Sequence, residues 1–181
     1  MSEYDHEHSR KILLMGLDNS GKTSILFNLR KVSNILSFYS LNPTPGLTIA
    51  SHIDKDIKFY LWDFGGQQKY RERYLLHLDE YTFKVDEIIF VIDVQDPERY
   101  DIALKYLQEI IEHLEKTQED EVELSVYLHK FEPIENKEEF SEKNIKEKIL
   151  DRIQKFLTPK IKYKVYKTRI YTVFEKEPIK I

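Results

Sequence analysis

The chain contains no cysteine, so disulfides and thiolate metal sites are excluded, and the redox compartment leaves no trace in the sequence. Glycine is scarce, with 5 in 181 residues, and each falls in a stretch that reads as a loop or turn. No apolar run is long enough to span a bilayer. Positive charge is not in excess: Lys+Arg is 28 and Asp+Glu is 32, a balance of −4 that makes no case for nucleic-acid binding. A secretory leader is not expected, because Met1-Ser2-Glu3-Tyr4-Asp5-His6-Glu7-His8 is polar and acidic. Position 2 is Ser rather than the Gly that myristoylation requires. Membrane attachment is therefore unsupported and a cytoplasmic location is the expectation.

What is present suits one globular domain with a sizeable core: 41% hydrophobic and 33% charged residues. Residues 1–9 read as a polar tail, in which His6 and His8 could take a metal but a mobile segment is the plainer reading. Residues 10–181 read as the domain. Acids crowd between Glu109 and Glu142; Lys and Arg crowd between Lys143 and Arg169, with Glu147 and Asp151 the only acids there. Solvated helix faces account for such runs, with a basic patch for a partner or an anionic surface as the alternative.

Gly16-Leu17-Asp18-Asn19-Ser20-Gly21-Lys22-Thr23 fits the phosphate-loop spacing G-x-x-x-x-G-K-[ST]. The apolar strand Lys11–Met15 precedes it, and Ser24–Leu29, apolar at helical spacing, follows. The candidate phosphate cradle is thus Asp18, Asn19, Ser20, Gly21, Lys22, Thr23 and Ser24. Lys22 would neutralise the β- and γ-phosphates, and the Thr23 hydroxyl would ligate magnesium.

The helix should run to about Phe38, and Leu41–Gly46 is a loop with two prolines. Thr48–Ile53 and Ile57–Trp62 flank Asp54-Lys55-Asp56 as a β-hairpin. Lys69 to Leu78 reads as an irregular helix, Val85–Asp93 and Val122–Leu128 as buried strands. Pro97 starts a long helix carrying Ile102, Leu104, Leu107, Ile110, Ile111 and Leu114. Ser141 caps another with Ile145, Ile149, Ile153, Phe156 and Leu157, and Ile161–Val165 alternates as a strand with one wet face. The fold class is α/β: a three-layer P-loop NTPase fold with a mostly parallel six-stranded sheet and one antiparallel edge strand.

Asp63-Phe64-Gly65-Gly66-Gln67 supplies what the first motif lacks. Asp63 at a strand end can hold magnesium through water, the Gly66 N–H can bond a γ-phosphate, and Gln67 can orient a water for in-line attack. The Thr44 hydroxyl could complete the magnesium shell. The metal candidates are therefore Thr23, Thr44 and Asp63, and the catalytic candidate is Gln67.

Together these motifs resemble those of Ras-superfamily small GTPases, in the branch of Arf, Rag and Gα proteins. Gly16 to Ser24 is similar to the Arf phosphate loop, Pro43-Thr44-x-Gly46 to its switch I, and Trp62–Gln67 to its switch II. Ile88–Asp93 followed by Asp96-Pro97-Glu98-Arg99 resembles both Arf and Rag proteins. The residues between Tyr74 and Val85, His129-Lys130, and Thr168-Arg169-Ile170-Tyr171 look more like Rag. The resemblance implies a GTP/GDP switch with Mg2+ as cofactor, exchange proteins, and effectors at the switch loops; the lack of an arginine just before Thr44 and the Asp18 carboxylate beside the expected γ-phosphate predict low intrinsic hydrolysis and a GTPase-activating partner. Tyr70, Arg71, Arg73 and Tyr74 are candidate contacts, with core packing as the alternative for the tyrosines. A homo- or heterodimer is left open. It implies guanine recognition by His129, Lys130 and Glu132, where the family has Asn-Lys-x-Asp or His-Lys-x-Asp. Glu132 carries an extra methylene, and Arg169 stands where a small residue commonly lets a backbone N–H reach the guanine O6. After Tyr171 the sequence is short for a last packing helix and Pro178 interrupts it, so that helix is expected to be short or missing. Two other readings remain: a scaffold that binds nucleotide or dimerises without hydrolysis, and a P-loop kinase or ATPase.

Overall fold

The structure is a computed structural model that describes residues 9–29, 42–117, 122–131, 141–157 and 161–170. Six strands, β1 Ser9–Gly16, β2 Leu47–Asp54, β3 Ile57–Phe64, β4 Glu87–Asp93, β5 Glu123–His129 and β6 Tyr163–Lys167, form one sheet in the order β2-β3-β1-β4-β5-β6. All neighbours are parallel except β2 and β3, so the expected single antiparallel edge strand is β2. Lys55 and Asp56, both at positive φ, make the two-residue turn whose twist suits a hairpin.

Side chains alternate along each strand and so feed two cores. Leu13, Met15, Ile88, Phe90, Ile92, Leu124, Val126 and Leu128 face one side. There they meet α2 Gln68–Leu76, α3 Leu78–Thr82, α4 Tyr100–Thr117, α5 Glu142–Ile145 and α6 Asp151–Phe156. Ile12, Leu14, Leu61, Ile89 and Val91 face the other side, against Ile25 and Leu26 of α1 Lys22–Leu29. This is the three-layer arrangement. Beyond Leu29 the expected length of α1, to about Phe38, lies outside the described residues, as does the chain from Tyr171 onward.

α4 buries Leu104, Leu107, Ile110, Ile111 and Leu114 as its apolar period requires, but Ile102 is 46% exposed and does not belong to that face. A turn of 3-10 helix, Pro97–Arg99, leads into α4 and displaces its start by one turn from Pro97. α5 and α6 are joined by a π turn, Lys146–Leu150, so the single helix expected after Ser141 carries a bulge. The Ser141 hydroxyl accepts the Asn144 amide at 3.3 Å, as a cap does. The strand expected over Ile161–Val165 lies at Tyr163–Lys167; Ile161, just before it, is buried, Val165 is half-buried and the other four residues of β6 are exposed. Part of the basic stretch is paired, Arg152 with Asp101 and Lys164 with Glu123. Among the described residues no helix is long and apolar enough to cross a membrane.

Candidate functional site

The carboxyl ends of β1, β3, β4 and β5 lie at one edge of the sheet, where parallel α/β folds place their ligands. β1 delivers the phosphate loop, β3 delivers Asp63 and the Gly65-Gly66-Gln67 turn, β4 delivers Asp93, and β5 delivers His129 and Lys130. Between the first two lies a cavity of about 290 Å³ lined by Asp18, Lys22, Thr23, Thr44, Gly66 and Gln67, with Asn19, Gly21 and Ser24 also on its wall.

Two glycines set the shape of this cavity. Gly21 has φ +92, and a Cβ there would lie 2.4 Å from the His129 ring. Gly66 packs its bare Cα against the loop: a Cβ would lie 2.0 Å from the Asp18 nitrogen and 2.1 Å from the Leu17 carbonyl carbon. The amide-rich turn after β3 therefore closes on the phosphate loop at van der Waals distance. Gly65 ties the preceding loop to the same place, its N–H donating to the Gly46 carbonyl at 2.7 Å.

Lys22 is 5% exposed, and its ammonium donates to the Leu17 carbonyl at 2.5 Å. Burial lowers its pKa from 10.5 to about 8, against the opposing pull of Asp63 and Asp18. At the base of the cavity three oxygen side chains converge. Thr23 donates to Asp63 Oδ2 at 2.7 Å, Thr44 donates to the same oxygen at 3.1 Å, and the two hydroxyls are 3.0 Å apart. Asp63 is 1% exposed, and burial raises its pKa although both hydroxyls and Lys22 act the other way. Its Oδ1 is buried and accepts no hydrogen bond from the described residues. Two hydroxyls around a carboxylate with an orphaned oxygen are a hard, all-oxygen donor set, which fits magnesium. Among the described residues no cluster of His, Asp and Glu offers a competing metal site.

Gln67 precedes α2 and lines the cavity; its Oε1 is likewise buried without a partner among the described residues. Arg71 reaches back from α2 to donate to the Gly66 carbonyl at 2.9 Å. Tyr74 proves to be core: it is 3% exposed and meets Phe64 edge-on at 4.8 Å and Tyr81 at 5.7 Å. Tyr70 stacks on Tyr74 at 6.5 Å and is half-buried, whereas Arg73, Leu76 and Phe83 are exposed.

On the far side His129 is 4% exposed, with its ring against Gly21 and its Nδ1 2.9 Å from the Thr168 hydroxyl. It braces the phosphate loop against the loop after β6. Lys130, at φ 59, donates to the Asn19 carbonyl at 2.9 Å and to Asp93 Oδ2 at 2.6 Å. Ser20 is buried at 1%, and its hydroxyl has no partner among the described residues. Arg169 is exposed, and Glu132 lies outside the described residues.

Two contacts had no counterpart in the sequence reading. Asp93 anchors Lys130 and accepts the Gln95 amide at 2.9 Å. Arg99 donates to Asp18 Oδ1 at 3.1 Å and to the Asp18 carbonyl at 3.3 Å, so the carboxylate of the phosphate loop is paired. Arg99 stands in the Asp-Pro-Glu-Arg stretch, but nothing local to that stretch points across 81 positions to Asp18.

Comparison with known proteins bears on the family and the fold. In sequence, 103 residues are 32% identical to ADP-ribosylation factor-like protein 5 of Caenorhabditis elegans, covering 57% of this chain and 53% of that protein. An ADP-ribosylation factor-like protein of Dictyostelium discoideum is 34% identical over 100 residues, covering 48% of this chain and 49% of that one. The matches span about half the length of these curated relatives. In structure, the Arl6 (BBS3) small GTPase of Trypanosoma brucei, solved with the bound nucleotide analogue GppNp, superposes with a TM-score of 0.68 at 19% identity, over 89% of this chain and 87% of its own. The mammalian SRP receptor superposes at 0.69 and 15% identity, over 88% and 91%; at such identities the likeness is one of fold. The profile of the Gtr1/RagA G protein conserved region matches residues 11–175. With that span covered, the chain belongs to the Gtr1/RagA G protein family, an Arf- and Rag-like branch of the Ras-superfamily small GTPases.

Proposed function

We propose that this chain is a switch that binds GTP and GDP with Mg2+ and hydrolyses GTP slowly until an activating partner joins it. The observation that carries this reading is the meeting of Thr23, Thr44 and Asp63 within 3.1 Å of one another, at the foot of the cavity that Gly66 closes. Three segments separated in sequence converge there on one oxygen-rich point, and a phosphate chain with its cation is the ligand that needs all three.

The residues take these roles. Backbone amides from Asp18 to Ser24 cradle the phosphates, and the Lys22 ammonium offsets their charge. Thr23, Thr44 and Asp63 would hold magnesium, which when bound neutralises charge on the phosphate oxygens. Gln67 orients the water that attacks the γ-phosphorus as the bond to the β–γ bridging oxygen breaks, leaving GDP and phosphate. Thr44 and Gly66 lie on the two loops that would sense the γ-phosphate, and loss of that group would release both. His129 braces, Lys130 flanks the base, and Glu132 accepts the guanine N–H groups.

No arginine immediately precedes Thr44, so none is offered in cis from that loop. An arginine supplied by an activating protein is worth about 10³–10⁵-fold in this chemistry. The exposed Arg73, Leu76 and Phe83 around α2 and α3 give effectors and regulators a surface. Single-turnover hydrolysis by the native chain and Gln67→Leu, with GTP and ATP in competition, tests the proposal. Slow GTP cleavage that Gln67→Leu abolishes is expected. Equal null rates with every activator tried would favour a non-hydrolysing scaffold, and preference for ATP would favour a kinase or ATPase.

A further inference from the structure

Asp18 raises an electrostatic question for the proposed function, on which this inference rests. It lines the same cavity as Lys22, Gly66 and Gln67, the residues proposed to meet a terminal phosphate. A carboxylate there repels the phosphate and competes for the Lys22 ammonium, whose charged form it already favours. The side chain has instead a different partner. The Arg99 guanidinium donates Nη1–H to Asp18 Oδ1 at 3.1 Å and Nη2–H to the Asp18 carbonyl at 3.3 Å, gripping side chain and main chain of one residue.

Arg99 is itself fixed. Its Nε donates to Asp96 Oδ2 at 2.5 Å, and its amide donates to the Asp96 carbonyl at 3.2 Å within the 3-10 turn that Pro97 opens. That turn is continuous with α4, whose apolar face is buried in the larger core. A rigid element of the fold therefore holds the fork in place, and a lysine could not span the same three acceptors.

We propose that Arg99 is a positioning residue that determines phosphate-state specificity: by holding and neutralising the Asp18 carboxylate beside the cavity, it lets the site accept a triphosphate. Without it Asp18 turns toward Lys22, and the penalty falls on GTP and not on GDP, which lacks the terminal phosphate. A residue that merely propped up the phosphate loop would weaken both ligands alike.

The test is calorimetric titration of the full chain with GDP and with a non-hydrolysable GTP analogue, magnesium supplied. The variants are Arg99→Ala, Asp18→Asn, their combination, and Arg99→Lys. Arg99→Ala should lower analogue affinity about tenfold more than GDP affinity, a difference of about 1.4 kcal/mol. Adding Asp18→Asn should return the analogue-to-GDP ratio to that of the native chain, and Arg99→Lys should fall between. Equal losses for both ligands, or a double variant that keeps the Arg99→Ala ratio, would overturn the inference. Should Arg99→Ala fail to fold, Arg99→Met, which keeps an unbranched stem without a donor, carries the same comparison. A native chain that binds neither nucleotide would sink the proposed function and this inference with it; a native chain that binds both with equal losses in the variant sinks this inference alone.

Discussion

Raising the pH should weaken nucleotide binding through one buried ammonium group. Lys22 is 5% exposed, and burial brings its pKa from 10.5 down to about 8 in the free chain. A phosphate tail beside it favours the charged form, so its pKa in the complex is higher and binding takes up a proton. Affinity must then fall as pH rises through the free-chain value. Between about pH 7 and about pH 9 the protonated fraction of free Lys22 falls about tenfold, so affinity should fall about tenfold, or about 1.4 kcal/mol. The same shift acts on folding with the opposite slope. The unfolded chain binds this proton more tightly, so the Lys22 contribution disfavours folding below about pH 8 and fades as pH rises toward about 10.5. Calorimetry near pH 8 in two buffers of different protonation enthalpy counts the protons directly. Lys22→Arg, charged throughout, should bind without that proton uptake, which separates Lys22 from titration of the nucleotide itself. Proton release on binding, or uptake that Lys22→Arg retains, would refute the reasoning.

Gly66→Ala places a methyl group 2.0 Å from the Asp18 nitrogen, where only backbone can yield, so the turn after β3 must withdraw. GDP binding should survive within a few-fold while the GTP analogue no longer protects residues 65–76 in limited proteolysis. Asp63→Asn should make nucleotide affinity insensitive to magnesium, read as equal titrations with the cation and with chelator. In the native chain burial raises the Asp63 pKa, so the charged form that magnesium requires is lost as pH falls, at a higher pH than for an exposed aspartate. A magnesium titration across the acid range should show this. Leu107→Ala, at a position with 0% exposure in the larger core, should cost about 2–5 kcal/mol in denaturant unfolding and leave the nucleotide site intact in the folded fraction.

The phosphate loop was legible because its chemistry depends on fixed covalent spacing between Gly16 and Thr23, which a sequence displays directly. The central strands were legible because Ile88 to Ile92 are buried on both faces and read as one apolar run. Thr44 and Asp63 were each weak alone; order along the chain suggested their meeting, and the sheet register brings it about. What the sequence concealed depends on tertiary packing. Ile102 is apolar but lies outside the buried arc of α4 and faces water, because an apolar pattern does not say how wide the covered face is. Tyr74 could have been a partner contact or core until Phe64 and Tyr81 were seen around it. The alternation of β6 states which residues share a face, not whether anything covers that face. The Arg99–Asp18 pair joins positions 81 apart, a distance over which no local pattern carries information.

The most direct measurement is titration of the nucleotide-stripped chain with GTP, GDP and ATP in the presence of magnesium. Dissociation constants of about 1 μM or tighter for both guanine nucleotides, with ATP at least about tenfold weaker, are expected of this site. No heat of binding with any of them at about millimolar ligand would contradict the account.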